Sequence, residues 1–192
     1  VKLTRFLNAL HIDVRRKLFA QVLEGLGGNI KYFVVGGAAL NPEVANAFAD
    51  FGIKVTQGYG ITECAPLISV VPFNENNPAS CGKLMPGMQI LIDKAKPEDS
   101  FGEIVVKGDN VMLGYYNNEE ATKSTFTSDG WLKTGDMGLL DAKNNLFIKG
   151  RCKNMILTGS GQNIYPEEIE DKIINLPYVV ESLVVGRKNA IV

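Results

Sequence analysis

Two short polar signatures flank a predicted hairpin over 137–149, Thr134-Gly135-Asp136 before it and Gly150-Arg151 after it. A hairpin brings its ends together, so the Asp136 carboxylate and the Arg151 guanidinium are expected to face one site. An ionised carboxylate only accepts hydrogen bonds and suits a ribose diol; a guanidinium only donates and suits phosphate. A second run, residues 57–63, reads Gln-Gly-Tyr-Gly-Ile-Thr-Glu. Two glycines leave the Tyr59 ring free to face a ligand, Thr62 offers a hydroxyl, and Glu63 offers the hard oxygen that magnesium takes alongside phosphate. The structural alternatives are a turn-forming Asp136, a packed Tyr59, a solvated Glu63 and a surface Arg151.

The elements that must position these residues follow from pattern. Val14, Leu18, Val22 and Leu26, widened by Phe19 and Leu23, predict an amphipathic helix over 14–26, capped by Asp13 and stopped at Gly27-Gly28. Residues 30–35 predict a buried strand. Gly36-Gly37-Ala38-Ala39 follows; small residues there let a flat ring lie against the backbone, or simply make a tight turn. Asn41 caps a second helix with Pro42 as its first residue, Val44, Phe48 and Phe51 as its inner face and Gly52 as its end. A strand over 53–56 completes a right-handed parallel crossover, and ligands of such sheets sit beyond the strands' carboxyl ends, where 57–63 falls. Residues 64–80 read as loop.

From Cys81 to Gly150 the pattern changes to short strands, at 88–92, 103–106, 139–140 and 146–148, with turns at Phe101-Gly102 and Asn144-Asn145. This predicts a small antiparallel sheet or barrel. Tyr115 and Tyr116 read as packing, and Trp131 as an anchor for the Thr134-Gly135-Asp136 loop. A short strand over 155–157 precedes a turn at 158–161, whose backbone donors suit a ligand or a plain flexible turn. Pro166 opens a helix with Ile169, Ile173 and Leu176 on its apolar face. Glu167, Glu168, Glu170 and Asp171 suit its positive end and need no catalytic role. Pro177 stops it, and 178–185 reads as a strand.

Bulk properties narrow the field. With Lys+Arg 20 against Asp+Glu 21, the net charge of −1 gives no electrostatic case for nucleic acid or an anionic membrane. No apolar run approaches the roughly 20 residues that span a bilayer. Cys64, Cys81 and Cys152 are far apart, have no metal spacing and read as reduced thiols, so a cytoplasmic location is expected, free or peripheral to the inner membrane face. Cys64 has no base near it in sequence, and His11 is the sole histidine. A Cys–His nucleophile is therefore disfavoured. No Gly-x-Gly-x-x-Gly occurs, which disfavours a dinucleotide dehydrogenase.

In order along the chain, Gly58-Tyr59-Gly60-Ile61-Thr62-Glu63, Gly102-Glu103-Ile104 with Gly108, Gly114-Tyr115, Thr134-Gly135-Asp136, Gly150-Arg151, Lys153 and Pro166-Glu167-Glu168-Ile169-Glu170 resemble the adenylate-forming superfamily of acyl-CoA ligases, luciferases and peptide-synthetase adenylation domains. The resemblance implies an α/β part followed by a small antiparallel β-barrel-like subdomain and the start of an α+β C-terminal domain. The divisions are 1–77 and 78–150 in the large domain, a hinge at 151–153 and the small domain from 154–192. It implies ATP and magnesium as cofactors and CoA as co-substrate. Gly37, Ala38, Ala39, Gln57, Gly58, Tyr59, Gly60, Thr62, Asp136 and Arg151 then bind the nucleotide, with Tyr59 on adenine. Thr62 and Glu63 are catalytic, Glu63 as magnesium ligand. Lys153 is the hinge residue, and Gly159, Ser160 and Gly161 border the pantetheine of CoA.

The runs 59–66 and 158–170 look most similar to bacterial long-chain fatty-acid–CoA ligases. The family's phosphate loop and late lysine are not in these 192 residues, so an inactive piece of a larger enzyme is expected, its partners being small molecules and the remainder of its own chain. An aryl- or amino-acid adenylation domain loading a carrier protein, and a non-catalytic nucleotide-binding module, are the alternatives.

Overall fold

The computed structural model describes residues 12–75, 77, 79–158, 162–187, 190 and 191. His11 and the candidate CoA residues Gly159, Ser160 and Gly161 lie outside the described residues.

The helix expected over 14–26 forms as two pieces, α1 (Arg15–Leu18) and α2 (Ala20–Gly25). The chain leaves helical geometry at Phe19, whose ring meets Phe51 edge-on at 5.0 Å. The N-cap position falls on Val14, without a side-chain cap bond, rather than on Asp13, whose Oδ1 accepts from Arg15 N at 3.1 Å from one residue further out. Of the apolar stripe only Leu23 is buried; Leu18, Val22 and Leu26 are exposed. Arg15 donates to Ala49 O at 2.9 Å and Arg16 to Ile30 O at 2.8 Å. These bonds satisfy carbonyls near the ends of the neighbouring elements.

β1 (Tyr32–Val35) and β2 (Lys54–Gly60) pair in parallel around α3 (Pro42–Asp50), as the crossover requires. Asn41 Oδ1 accepts from Glu43 N at 2.8 Å and Val44 N at 3.3 Å, and Pro42 opens the helix. Two details differ from expectation. β1 is not buried on both faces, since Tyr32 and Val34 are exposed. The inner face of α3 carries Ala45 and Phe48, with Val44 turned outward, because a small side chain suits the close approach to the sheet. Phe48 meets Phe33 edge-on at 5.5 Å.

β2 does not stop at Thr56. It runs to Gly60 because β3 (Leu67–Val70), inside the stretch read as loop, pairs with it antiparallel, Tyr59 opposite Ser69. At Gly60 a Cβ would stand 1.9 Å from Pro66 O, so only glycine permits this approach. β4 (Lys83–Leu84) completes the order β1-β2-β3-β4.

The second sheet is antiparallel throughout, β5 (Gln89–Asp93), β6 (Gly102–Lys107), β7 (Leu132–Leu140) and β8 (Leu146–Arg151), in the order β5-β6-β7-β8. The final hairpin is longer than 137–149 and takes in both polar signatures, so Thr134-Gly135-Asp136 is strand, not loop. Gly102 opens β6, and the turn expected at Phe101-Gly102 lies upstream, where Asp99 N donates to Lys96 O at 3.0 Å. Asn144 adopts φ 60° in the β7–β8 turn, as its type predicts. Helix α4 (Glu119–Thr125), capped by Asn118 Oδ1 on Ala121 N at 3.0 Å, packs on β7.

One core joins both sheets: Tyr59 and Ile68 from the first, Cys64 from the turn between β2 and β3, and Ile104, Val106, Leu132 and Leu146 from the second. Fully burying each large side chain contributes roughly 1.5–3 kcal/mol. Cys81 N donates to Leu146 O, and Leu146 N to Gly82 O, both at 2.8 Å, and so link the two sheets.

After β8 come a 3₁₀ turn (Cys152–Asn154), β9 (Ile156–Leu157) paired with β10 (Asn163–Ile164), α5 (Pro166–Ile173), and β11 (Gly186–Arg187) paired with β12 (Ala190–Ile191). α5 ends before Leu176, which is exposed. The strand expected over 178–185 does not form. Val184 is buried and its N donates to Glu170 Oε1 at 2.7 Å, but Tyr178, Val180, Leu183 and Val185 are exposed. Among the described residues, no helix is long and apolar enough to cross a membrane.

Candidate functional site

Asp136 is placed by a bulge. Across β6 and β7, Val105 faces Lys133 and Glu103 faces Met137, so Thr134, Gly135 and Asp136 are accommodated opposite Ile104 alone. Gly135 carries φ 74°, which an L side chain resists. The bulge is pinned on three sides. Thr134 Oγ1 donates to Ile104 O at 2.8 Å, Gly135 N to Glu103 Oε1 at 3.1 Å, and Asp136 N to Thr134 Oγ1 at 3.1 Å. Across the other ladder Asp136 faces Arg151 directly, and Arg151 Nε stands 2.9 Å from Asp136 Oδ1. The closure expected from the hairpin is therefore present.

Tyr59 reaches the same carboxylate from the other sheet, its hydroxyl donating to Asp136 Oδ2 at 2.6 Å. This corrects the expectation that its ring is free: Tyr59 is 9% exposed and belongs to the core cluster. Its glycine neighbours serve close strand pairing instead. Burial, and then the charge of Asp136, push the Tyr59 hydroxyl well above the ordinary tyrosine range. Burial also raises the Asp136 carboxyl, outweighing the Tyr59 hydrogen bond and the Arg151 charge. A carboxylate has about four acceptor sites. Tyr59 and Arg151 use two, which leaves two for the hydroxyls of a diol.

The Gly37-Ala38-Ala39 turn lies exposed at the carboxyl end of β1, Gly37 at φ 83°. Gly36 packs so near β2 that a Cβ would meet Gly58 O at 3.3 Å. Gln57 was expected at the ligand but is buried, its amide committed internally. Oε1 accepts from Leu40 N at 3.2 Å and Nε2 donates to Cys81 Sγ at 3.3 Å. It positions the 37–39 turn rather than reaching past it.

Thr62 and Glu63 lie on a 3₁₀ turn (Thr62–Cys64) directly after β2, Thr62 exposed and Glu63 half-buried. Tyr115, expected as packing, donates its hydroxyl to Glu63 Oε1 at 2.8 Å; Tyr116 is exposed. The sequence signal for Tyr115 was its place beside Gly114, which does not reveal a partner 52 positions away. Glu103 and Asn110 are further unexpected contributors, the first to the bulge, the second through Nδ2 to Cys64 O at 2.7 Å. Among the described residues, no three His, Cys, Asp or Glu gather as a metal cage. Glu63 supplies one hard carboxylate, which fits a magnesium shared with phosphate and water better than a dedicated protein site.

The cysteines behave as expected of structural thiols. Burial pushes Cys64, Cys81 and Cys152 up to about 11, so each stays protonated near neutral pH. Lys153 is exposed in the 3₁₀ turn after Arg151. The acidic start of α5 is occupied with contacts: Glu168 Oε1 lies 2.7 Å from Lys149 Nζ, and Glu167 Oε1 accepts from Asn154 Nδ2 at 2.5 Å. Gly150 leaves room for this packing, since a Cβ there would meet Glu167 Oε2 at 2.7 Å.

Two sheets thus bring a tyrosine and an arginine onto the carboxylate of Asp136. The model of the family described as AMP-binding enzyme covers residues 3–116, and the chain belongs to that family, within the adenylate-forming superfamily. A long-chain-fatty-acid–CoA ligase of Mycobacterium bovis, FadD15, is 36% identical over 180 residues, covering 94% of this chain and 29% of that protein. A 2-succinylbenzoate–CoA ligase of Bacillus cytotoxicus is 36% identical over 188 residues, covering 93% and 39%. The solved structure of O-succinylbenzoate coenzyme A synthetase (MenE) from Bacillus subtilis in complex with ATP and magnesium ion aligns with a TM-score of 0.74 at 33% identity, over 90% of this chain and 38% of that one. The chain thus spans 29% and 39% of the length of these two curated relatives.

Proposed function

We propose that the protein containing this chain is an ATP-dependent acid–CoA ligase acting on a long-chain fatty acid in the cytoplasm. A carboxylate is a poor electrophile. Its attack on the α-phosphorus of ATP releases pyrophosphate and gives an acyl-adenylate, and the CoA thiol then displaces AMP. Asp136 accepts from the ribose hydroxyls, Arg151 donates to phosphate, and Gly37, Ala38, Ala39, Gly58, Tyr59 and Gly60 border the adenine. Thr62 contacts phosphate. Glu63 would hold magnesium, which when bound neutralises phosphate charge. The residues act by positioning and electrostatic stabilisation rather than by covalent chemistry. Lys153 in the 151–153 hinge joins a large domain, 1–77 and 78–150, to a small domain starting at 154, whose Gly159, Ser160 and Gly161 meet CoA.

The observation that carries this reading is the meeting of Tyr59, Arg151 and Asp136 within 2.6 and 2.9 Å. The long-chain preference rests on the runs 59–66 and 158–170 and on the similarity to FadD15. Equal identity to a 2-succinylbenzoate ligase favours an aryl acid as the second reading.

The test supplies the full-length protein with ATP, CoA and either palmitate or 2-succinylbenzoate. Palmitoyl-CoA and AMP are expected, with kcat/KM about tenfold or more above the aryl acid, roughly 1.4 kcal/mol of discrimination. The reverse preference selects the second reading, and no thioester from either sinks both. The 192-residue chain assayed in parallel is expected to release no pyrophosphate above blank.

A further inference from the structure

Tyr115 is 38% exposed and contributes little to the core, yet its hydroxyl finds Glu63 Oε1 at 2.8 Å. Between two freely moving surface side chains such a bond would be worth little, because holding both costs rotamer entropy. Here both ends are tied down. The Tyr115 segment is fastened to the Glu63 turn by Met112 N on Glu63 O at 2.8 Å. Asn110 Nδ2 adds bonds to Cys64 O at 2.7 Å and to Leu67 O at 3.1 Å. Tyr115 N donates to Thr122 Oγ1 at 2.9 Å. Gly114, at φ 153°, lies against the same threonine, where a Cβ would meet Cγ2 at 2.7 Å. The backbones that carry Glu63 and Tyr115 are therefore fastened to each other, and the Tyr115 hydroxyl engages one oxygen of the Glu63 carboxylate.

We propose that Tyr115 is a positioning residue for Glu63 and that, by occupying one acceptor site of Oε1, it biases the carboxylate toward offering Oε2 to the nucleotide's cation, favouring magnesium over calcium. This rests on the reading of Glu63 as the cation ligand. Calcium readily takes both oxygens of a carboxylate among six to eight ligands, whereas magnesium requires a compact octahedron and takes single oxygens. Removing the hydroxyl frees Glu63 to offer both oxygens and loosens its orientation.

Calorimetric titration of ATP into the full-length protein, with magnesium or calcium as the only divalent ion and no acid or CoA present, reads this without turnover. Tyr115→Phe keeps the ring at an exposed position and removes only the hydroxyl. It is expected to weaken magnesium–ATP about fivefold while calcium–ATP holds or tightens, so the magnesium preference falls about fivefold or more. If Glu63→Gln abolishes the metal dependence but Tyr115→Phe keeps the wild-type preference, the role of Tyr115 is overturned and the Glu63 reading stands. If Glu63→Gln keeps the wild-type preference, the Glu63 reading falls and takes the Tyr115 proposal with it.

Discussion

The Asp136 centre and the Glu63 centre hold their carboxylates by opposite means. Asp136 is 5% exposed and sits in a strand bulge, fixed by two ladders and by Tyr59 from the neighbouring sheet. Glu63 lies on a short turn at the surface, held by side chains and one backbone bond from a separate loop. In the roles proposed for them, a carboxylate that accepts from a neutral diol gains from a dry, prearranged pocket, where its hydrogen bonds face little competition from water, and one that shares a cation with phosphate and water has to stay wet. The buried centre therefore carries its cost in the folded state, as a carboxyl raised by burial, and the exposed one carries it in ordering a loop.

The largest expected effect that sharpens this contrast comes from two glycines with nearly the same backbone angle. Gly135 (φ 74°) sits in the Asp136 bulge, where a Cβ would meet nothing within 4 Å; Gly130 (φ 83°) sits in the exposed turn before β7, where a Cβ would meet only Lys107 Nζ at 3.8 Å. Either Gly→Ala change should cost about 1–2 kcal/mol of stability through backbone strain alone. Only Gly135→Ala should also weaken ATP binding by the full-length protein, read by thermal melts alongside calorimetry. Equal ATP affinities in the two variants would remove the bulge from the site.

A smaller effect concerns pH. The folded protein holds the Asp136 proton to higher pH than the unfolded chain, which releases it at about 3.9. Between those two values the native state binds more protons, so this group's contribution to stability falls as pH rises. Relative to Asp136→Asn, the wild type should therefore lose stability from below that ordinary value up to the raised one, and then run parallel. Chemical denaturation across this pH range would contradict the account if the difference between the two proteins were flat or rose.

Much of this architecture was legible in the sequence: the parallel crossover from its cap, proline and glycine signals, the antiparallel sheet from its short alternating strands, and the pairing of Asp136 with Arg151 from a hairpin. Bulges were not legible. The glycine that lets β7 accommodate extra residues gives the same signal as a turn, so Thr134-Gly135-Asp136 read as loop. β3 escaped notice because Pro66 and Pro72 bracket a run of only four strand residues. The segment 178–185 failed in the other direction: Val179, Val180, Val184 and Val185 have strand composition, but a strand also needs a neighbour for its backbone. Tyr59 looked available to a ligand because adjacent glycines do not show which way a ring is drawn, and Tyr115 met Glu63 across a distance that no local pattern encodes.

The most direct test is the affinity of the full-length protein for AMP, compared between Asp136→Ala and Cys64→Ser. Both side chains are buried near the same core, but only Asp136 joins Tyr59 and Arg151. Asp136→Ala should weaken AMP binding by about thirtyfold or more, the equivalent of roughly 2 kcal/mol lost from hydrogen bonds to a charged group, while Cys64→Ser stays within about twofold of wild type. Similar losses in both variants would mean that the Tyr59–Asp136–Arg151 cluster only supports the fold.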